Sequence, residues 1–352
     1  MDHRIQELYG ISIPIIQAGM AGGPAGAELA AAVSEAGGLG TIGAGYSEPA
    51  GIVELIQVVQ QQTSKPFAVN LFLPEEKVPF SEESYTTMIN KLNQLRRRMG
   101  LRENTILSLP EFTFEDQVYA ALNAGCKHFS FTFGAPSPSI MNELRKQGAT
   151  VMATATSLNE AVLLEKAGVD AIAAQGSEAG GHRGTFIGYP LTELTGMAEL
   201  VSHITSRVSI PVAAAGGIMD GRGVADAMAQ GAAGVILGTA YLTAEESGAS
   251  AVHKQMLLKG DAPTKLTKSF SGKYARGIQT SLMDELDEMS DILPYPVQHY
   301  LTVDIRKTGA LQHQPEMTSM WAGQGYSLCQ PVLAGELTRN LWLEAVRIAG
   351  CC

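Results

Sequence analysis

Charge is scarce in this chain. Asp, Glu, Lys and Arg make up 17% of its 352 residues, against 45% apolar residues, which leaves ample material for a large buried core. Basic charge is scarcer still, with 25 Lys and Arg against 35 Asp and Glu, a net charge of −10. That argues against a nucleic-acid-binding surface, which is normally basic. The one basic run, Arg96-Arg97-Arg98, sits among Gln, Asn and Lys and reads as a solvated helix face. No apolar run reaches the ~18 residues of a membrane-spanning helix, so no membrane partner is expected. Met1-Asp2-His3-Arg4 does not open a secretory signal, and the expectation is a cytoplasmic protein. Cysteine is limited to Cys126, Cys329, Cys351 and Cys352. Their spacing gives neither a metal-ligand set nor a disulfide framework, so no metal site is expected, and the terminal Cys-Cys pair reads as an unmodified tail.

What the chain has is glycine, 38 residues of it, and a regular alternation of segments. Short apolar runs at 13–18, 39–43, 67–71, 128–133, 150–154, 170–175, 211–215 and 234–238 read as strands covered on both faces. Amphipathic segments at 24–36, 50–62, 138–147, 158–167 and 221–230 read as helices between them. Alternating strands and helices with short connections imply parallel strands and right-handed crossovers. About eight such units point to an α/β fold of the (β/α)₈ TIM-barrel type rather than an open doubly wound sheet. Residues 74–118 read as a helical insertion after the third strand. The barrel is expected over 1–243, and 244–352 as a C-terminal helical cap with closing segments that pack on it.

Barrel chemistry sits at the C-terminal ends of the strands. Strand 1 ends in Ala18-Gly19-Met20-Ala21-Gly22-Gly23, where glycine would let a planar ligand lie on the backbone beside the soft Met20 side chain. Asn70 and Gln175, at the ends of strands 3 and 6, can bind the polar edge of a heterocycle or satisfy nearby loop backbone. Gly216-Gly217 and Leu237-Gly238-Thr239 end the last two strands, where barrels often bind phosphate. No G-x-G-x-x-G turn directly follows the first strand to cradle a pyrophosphate. His182 lies in the glycine-rich loop Gly180-Gly181-His182-Arg183-Gly184 and is placed for general-base work near neutral pH. Glu178 and Arg183 can carry charge in the site or serve the loop. Tyr295, Tyr300, Trp321 and Tyr326 can line a substrate side or pack the cap.

Together these residues resemble the nitronate monooxygenase family. The carriers are PIIQAGMAG (14–22), GGLGTIGAGY (37–46), AVNLFLP (68–74), FTFG (131–134), AQGSEAGGHRG (174–184), PVAAAGGIMDGRG (211–223), GVILGTAYL (234–242) and FSGKYARG (270–277). The resemblance implies one non-covalent FMN, contacted by Gly19, Met20, Asn70, Gln175 and Gly180, with its phosphate held by Gly217 and Leu237-Gly238-Thr239. It also implies His182 as base or substrate-orienting group, and oxidation of an alkyl nitronate by O₂ to a carbonyl compound and nitrite. FMN-containing enoyl-acyl-carrier-protein reductases share the barrel and the His loop. The alternative is therefore an NAD(P)H-dependent acyl or quinone reductase, although Gln175 and Arg183 depart from that group's pattern. A flavin- or sugar-phosphate-binding barrel without activity is the non-enzyme alternative. The sequence leaves the oligomeric state open.

Overall fold

A computed structural model describes residues 2–75, 78–188, 191, 194–289 and 291–350; the Cys351-Cys352 tail lies outside them. The apolar runs form eight strands: β1 (Ile15–Gln17), β2 (Gly40–Gly43), β3 (Phe67–Phe72), β4 (His128–Thr132), β5 (Thr150–Ala155), β6 (Ala171–Gln175), β7 (Val212–Ala215) and β8 (Gly234–Leu237). Each pairs in parallel with its sequence neighbour from β2 to β8, and β8 pairs with β1. The ring closes between β1 and β2: Gln17 N donates to Leu39 O at 2.9 Å, and Leu39 N to Ile15 O at 2.9 Å. That closure distinguishes a barrel from an open sheet. Gly40 is needed for it, because a Cβ there would stand 1.9 Å from the carbonyl oxygen of Ala30.

Local sequence sets the surrounding helices. Ser137 caps Pro138–Lys146 and Ser157 caps Leu158–Ala167, each accepting a first-turn backbone N–H. Thr113 and Asp116 form a reciprocal capping box at the start of Phe114–Asn123. The eighth outer position is filled from the far end of the chain: Ala334–Ile348 packs between Ala27–Glu35 and Gly221–Ala229. Between β3 and β4 the chain forms the helix Glu82–Arg98, residues 99–112 carry no helix, and Phe114–Asn123 belongs to the barrel ring. No described helix is long and apolar enough to cross a membrane.

A second core joins the inserted helix to the C-terminal helices, through Met88, Leu92 and Leu95 against Leu282, Leu286, Leu301 and Ile305. Here the reading of Arg96-Arg97-Arg98 as a solvated face needs correction. Arg97 and Arg98 are exposed, but Arg96 is 0% exposed. Helical spacing puts residue 96 on the stripe of 88, 92 and 95, so it turns inward. Its guanidinium donates to both Asp304 carboxylate oxygens at 2.8 and 3.1 Å, to Leu301 O at 2.6 Å and to Asn93 Oδ1 at 3.0 Å.

Removing Asp304 strands a buried cation, whereas Asp304 is itself half open to water. Asp304→Ala should therefore lower unfolding free energy by about 2–3 kcal/mol. Arg96→Met, which removes the buried charge and keeps an apolar stem, should cost less. Urea midpoints measure both; equal losses would show that packing rather than the buried charge dominates.

Candidate functional site

A cavity of about 880 Å³ opens at the C-terminal rim of the barrel, within the size range of small-molecule sites. Gly19, Met20, Asn70, Gln175, Gly180, His182, Gly216, Gly217, Leu237, Gly238 and Thr239 all line it, so the structure brings every candidate residue to one place. Glu178 and Arg183 are not part of its wall. Glu178 accepts the Met197 N–H with both carboxylate oxygens, at 3.1 and 3.0 Å. Arg183 is 1% exposed and donates to the carbonyls of Gly176 at 2.6 Å and Gln175 at 3.3 Å. Both serve the loop.

One end of the cavity is built for an anion. Gly216 and Gly217 take positive φ values of 126° and 69°, which L side chains rarely adopt. Among the described residues, the N–H groups of Gly217 and Ile218 donate to no protein acceptor. Consecutive free N–H groups beside the start of helix Gly221–Ala229 form a concave anion site. On the next strand, Thr239 Oγ1 accepts from Gly323 N at 3.0 Å and keeps its own proton to donate.

The middle of the cavity offers a different group. Asn70 uses its amide N–H₂ toward Ser130 O at 3.2 Å, Ser130 Oγ at 3.2 Å and Thr132 Oγ1 at 3.3 Å. Its Oδ1 is buried and without a partner among the described residues, an acceptor waiting for a donor. Gly19 is required beside it, since a Cβ would come within 2.3 Å of Asn70 Cβ. Gln175 behaves otherwise. Its Nε2 donates to His182 O at 2.9 Å and its Oε1 accepts from Gly184 N at 2.8 Å, so its amide clasps the loop. Gly180 admits the backbone of Ala322 and Gly323, where a Cβ would lie 2.5 Å away.

His182 is held from three directions. Gly181 and His182 form a two-residue strand paired antiparallel with Ala275–Ile278. Gln175 grips its carbonyl. Its ring Nε2 lies 2.9 Å from Ser271 Oγ, and Ser271 donates its own proton to Lys273 O at 3.0 Å. The network therefore assigns Nε2 as the protonated nitrogen and leaves the Nδ1 lone pair without a partner among the described residues. Phe72, Phe133, Tyr295 and Trp321 surround the ring at centroid distances of 6.2, 6.2, 6.0 and 5.7 Å. Burial, and then the charges of Lys273 and Arg306, pull the imidazole pKa down to about 3.

Sequence reasoning missed part of the wall. Tyr46 and His299 stack at 4.0 Å and an 18° interplanar angle, and Arg306 lies two turns further along the same face of Val297–Leu311. Ser271 was in view within FSGKYARG, but its role needs the pairing of 275–278 with 181–182. Trp321 lines the cavity; Tyr326 bonds to the Ala262 backbone instead. The one G-x-G-x-x-G, at Gly38–Gly43, runs into and along β2 rather than into a helix.

A closed (β/α)₈ barrel whose rim cavity joins free backbone N–H groups to a half-buried histidine is the layout of a small-molecule enzyme. The chain matches the family model described as nitronate monooxygenase over residues 3–344. A probable nitronate monooxygenase of Staphylococcus saprophyticus is 41% identical over 98% of each chain, and one of Staphylococcus haemolyticus is 43% identical over 97% of this chain and 96% of that protein. Nitroalkane oxidase from Streptomyces ansochromogenes superposes with a TM-score of 0.90 at 34% identity, covering 98% of both chains. FabK from Thermotoga maritima superposes with a TM-score of 0.77 at 29% identity, covering 99% of this chain and 98% of that one. The protein belongs to the nitronate monooxygenase family.

The hydrogen-bond network makes a direct prediction. Nitrogen-15 NMR of labelled histidine should find His182 neutral, protonated on Nε2, from pH 8 down to about pH 4. Ser271→Ala should abolish the preference for that tautomer. A titration midpoint near the ordinary histidine value would show that the ring is solvated.

Proposed function

We propose that the protein uses a bound FMN and O₂ to oxidise alkyl nitronates to carbonyl compounds and nitrite. The observation that carries this reading is His182, a neutral imidazole with an unpartnered Nδ1 at an aromatic-walled cavity, in a chain of this family. The cavity's own chemistry fits FMN. The free N–H groups of Gly217 and Ile218 and the Thr239 hydroxyl would hold the phosphate, beside Gly216, Leu237 and Gly238. Asn70 Oδ1 would accept from a ring N–H, with Gly19 and Met20 against the flat of the ring. Gln175 and Gly180 would shape the wall through the loop they hold. FMN, when bound, supplies the electron transfer from nitronate to O₂.

The protein's part is to place the substrate and to take its proton. Nδ1 of His182 is the site that would take the α-proton of a neutral nitroalkane, and the imidazolium so formed would face the anion it has made. The burial that keeps the ring neutral also makes it a weak base near pH 7. Preformed nitronates, which need no deprotonation, should therefore be the better substrates. Two phenylalanines, a tyrosine and a tryptophan around the ring would exclude water from the reacting carbon.

The test is anaerobic mixing of the purified protein with ethyl nitronate or NADH. The nitronate should bleach the flavin rapidly and NADH slowly, and the cofactor released on denaturation should have the mass of FMN. Faster bleaching by NADH, with turnover of an enoyl thioester, would instead support the reductase reading. His182→Asn should retain flavin and lose about 10²–10⁴-fold on neutral nitroethane, and less on ethyl nitronate. Equal losses on both substrates would reassign His182 from proton transfer to orientation.

A further inference from the structure

The cavity is unbalanced in charge. No Asp or Glu lines it among the described residues, although the chain carries a net charge of −10. Two cations do, Arg306 and Lys307, both on the face that helix Val297–Leu311 turns toward the cavity with His299, Val303 and Ala310. Lys307 is exposed, and water can solvate it. Arg306 is half-buried, and desolvation lowers its pKa to about 10.

The other interior cations near the site have partners. Lys273 pairs with Glu75, and Arg96 takes the carboxylate of Asp304, the acid nearest to Arg306 in sequence. Arg183 lies within the influence of Glu160 and Glu178. Arg306 makes no salt bridge with a described residue. Its hydrogen bonds all go to neutral groups: Nε to Thr302 Oγ1 at 3.1 Å, Nη1 to Ser319 Oγ at 3.4 Å, and Nη2 to His299 O at 3.1 Å and His299 Nδ1 at 3.3 Å. These bonds fix the guanidinium from behind and leave one Nη1 hydrogen unused. Asp304, already bonded to Arg96, acts on Arg306 as a charge without contact, and a half-buried cation without a salt-bridge partner is favoured when a ligand brings negative charge to it.

We propose that Arg306 is a specificity-determining residue, and that it supplies the counter-charge for the O–N–O group of the bound nitronate. This rests on the nitronate reading above. It answers a question that reading leaves open: a neutral His182 offers a lone pair, not a positive charge, to an arriving anion. Arg306 supplies that charge from the helix opposite. In doing so it selects anionic nitronates over neutral nitroalkanes of the same shape.

The test uses the flavin-loaded protein, ethyl nitronate as substrate, and nitrite as a minimal O–N–O anion. Arg306→Gln should keep flavin and raise KM for ethyl nitronate by about tenfold or more with kcat little changed, and Arg306→Lys should recover much of the loss. Nitrite should raise the Tm of the wild type and of Arg306→Lys, and leave that of Arg306→Gln unmoved. A folded Arg306→Gln with wild-type KM and an undiminished nitrite shift overturns the proposal and leaves Arg306 as a staple between Thr302 and Ser319. Should Arg306→Gln not fold, the wild type decides: nitrite should inhibit competitively where neutral acetamide at equal concentration does not, and equal inhibition overturns the proposal. The nitrite shift needs no turnover. A wild type that binds nitrite but does not oxidise ethyl nitronate would therefore sink the functional reading and spare the role of Arg306 as an anion site.

Discussion

The site depends on one clasp. A glycine-rich loop over a barrel mouth has many conformations and little apolar surface to choose among them. Here the choice is made by pairing Gly181–His182 with Ala275–Ile278, by Gln175 spanning the loop from His182 O to Gly184 N, and by Ser271 reaching the imidazole. Gln175 comes from the end of β6, and Ser271 and Ala275–Ile278 from one distant segment. Together they convert a flexible loop into a rigid mount, and they settle which ring nitrogen holds the proton. A reactive group must be held to a fraction of an ångström to be useful, and hydrogen-bonded strand backbone does this better than packing alone.

A second constraint is electrostatic. The acids near the site are turned into structural acceptors. Glu160 takes the N–H groups of Thr156, Phe186 and Ile187, Glu178 takes Met197 N, and Glu75 takes Lys273. Among the described residues none is left to line the cavity. The low pKa values of His182, about 3, and His299, about 2, have the same origin in burial beside positive charge. A cavity of this kind keeps these two histidines neutral and carries positive charge at its wall.

The inserted helix and the C-terminal helices are coupled to this arrangement. Arg96 ties Glu82–Arg98 to Val297–Leu311, the same helix that carries His299 and Arg306 into the cavity. The second hydrophobic core thus supports the wall that carries His299 and Arg306, while the barrel core supports the strand ends that carry Gly217, Thr239 and Asn70. The two walls rest on separate cores, which gives one a route to vary without disturbing the other.

All eight strands were legible in the sequence, because a strand buried on both faces is a short apolar run bounded by turn residues, and that pattern is local. The rim residues followed, since barrel topology puts strand C-termini on one side: Gly19, Asn70, Gly217, Thr239 and His182 could be named from position. What each one does was not legible. Gln175 and Asn70 are both strand-end amides, yet one is spent on the loop and the other presents a bare oxygen, and the difference lies in neighbours 7 to 62 residues away. Arg96 reads as one of three surface arginines until the partner helix arrives. Arg306 is a lone arginine in an ambiguous C-terminal stretch, and Ser271 a serine in a motif of unassigned role. Sequence determined the barrel, its active rim and the histidine, because those follow from local period and chain direction. Only the tertiary structure decided the tautomer of that histidine, the free acceptor of Asn70 and the unpaired charge of Arg306, because each depends on which distant groups are, or are not, within hydrogen-bonding reach.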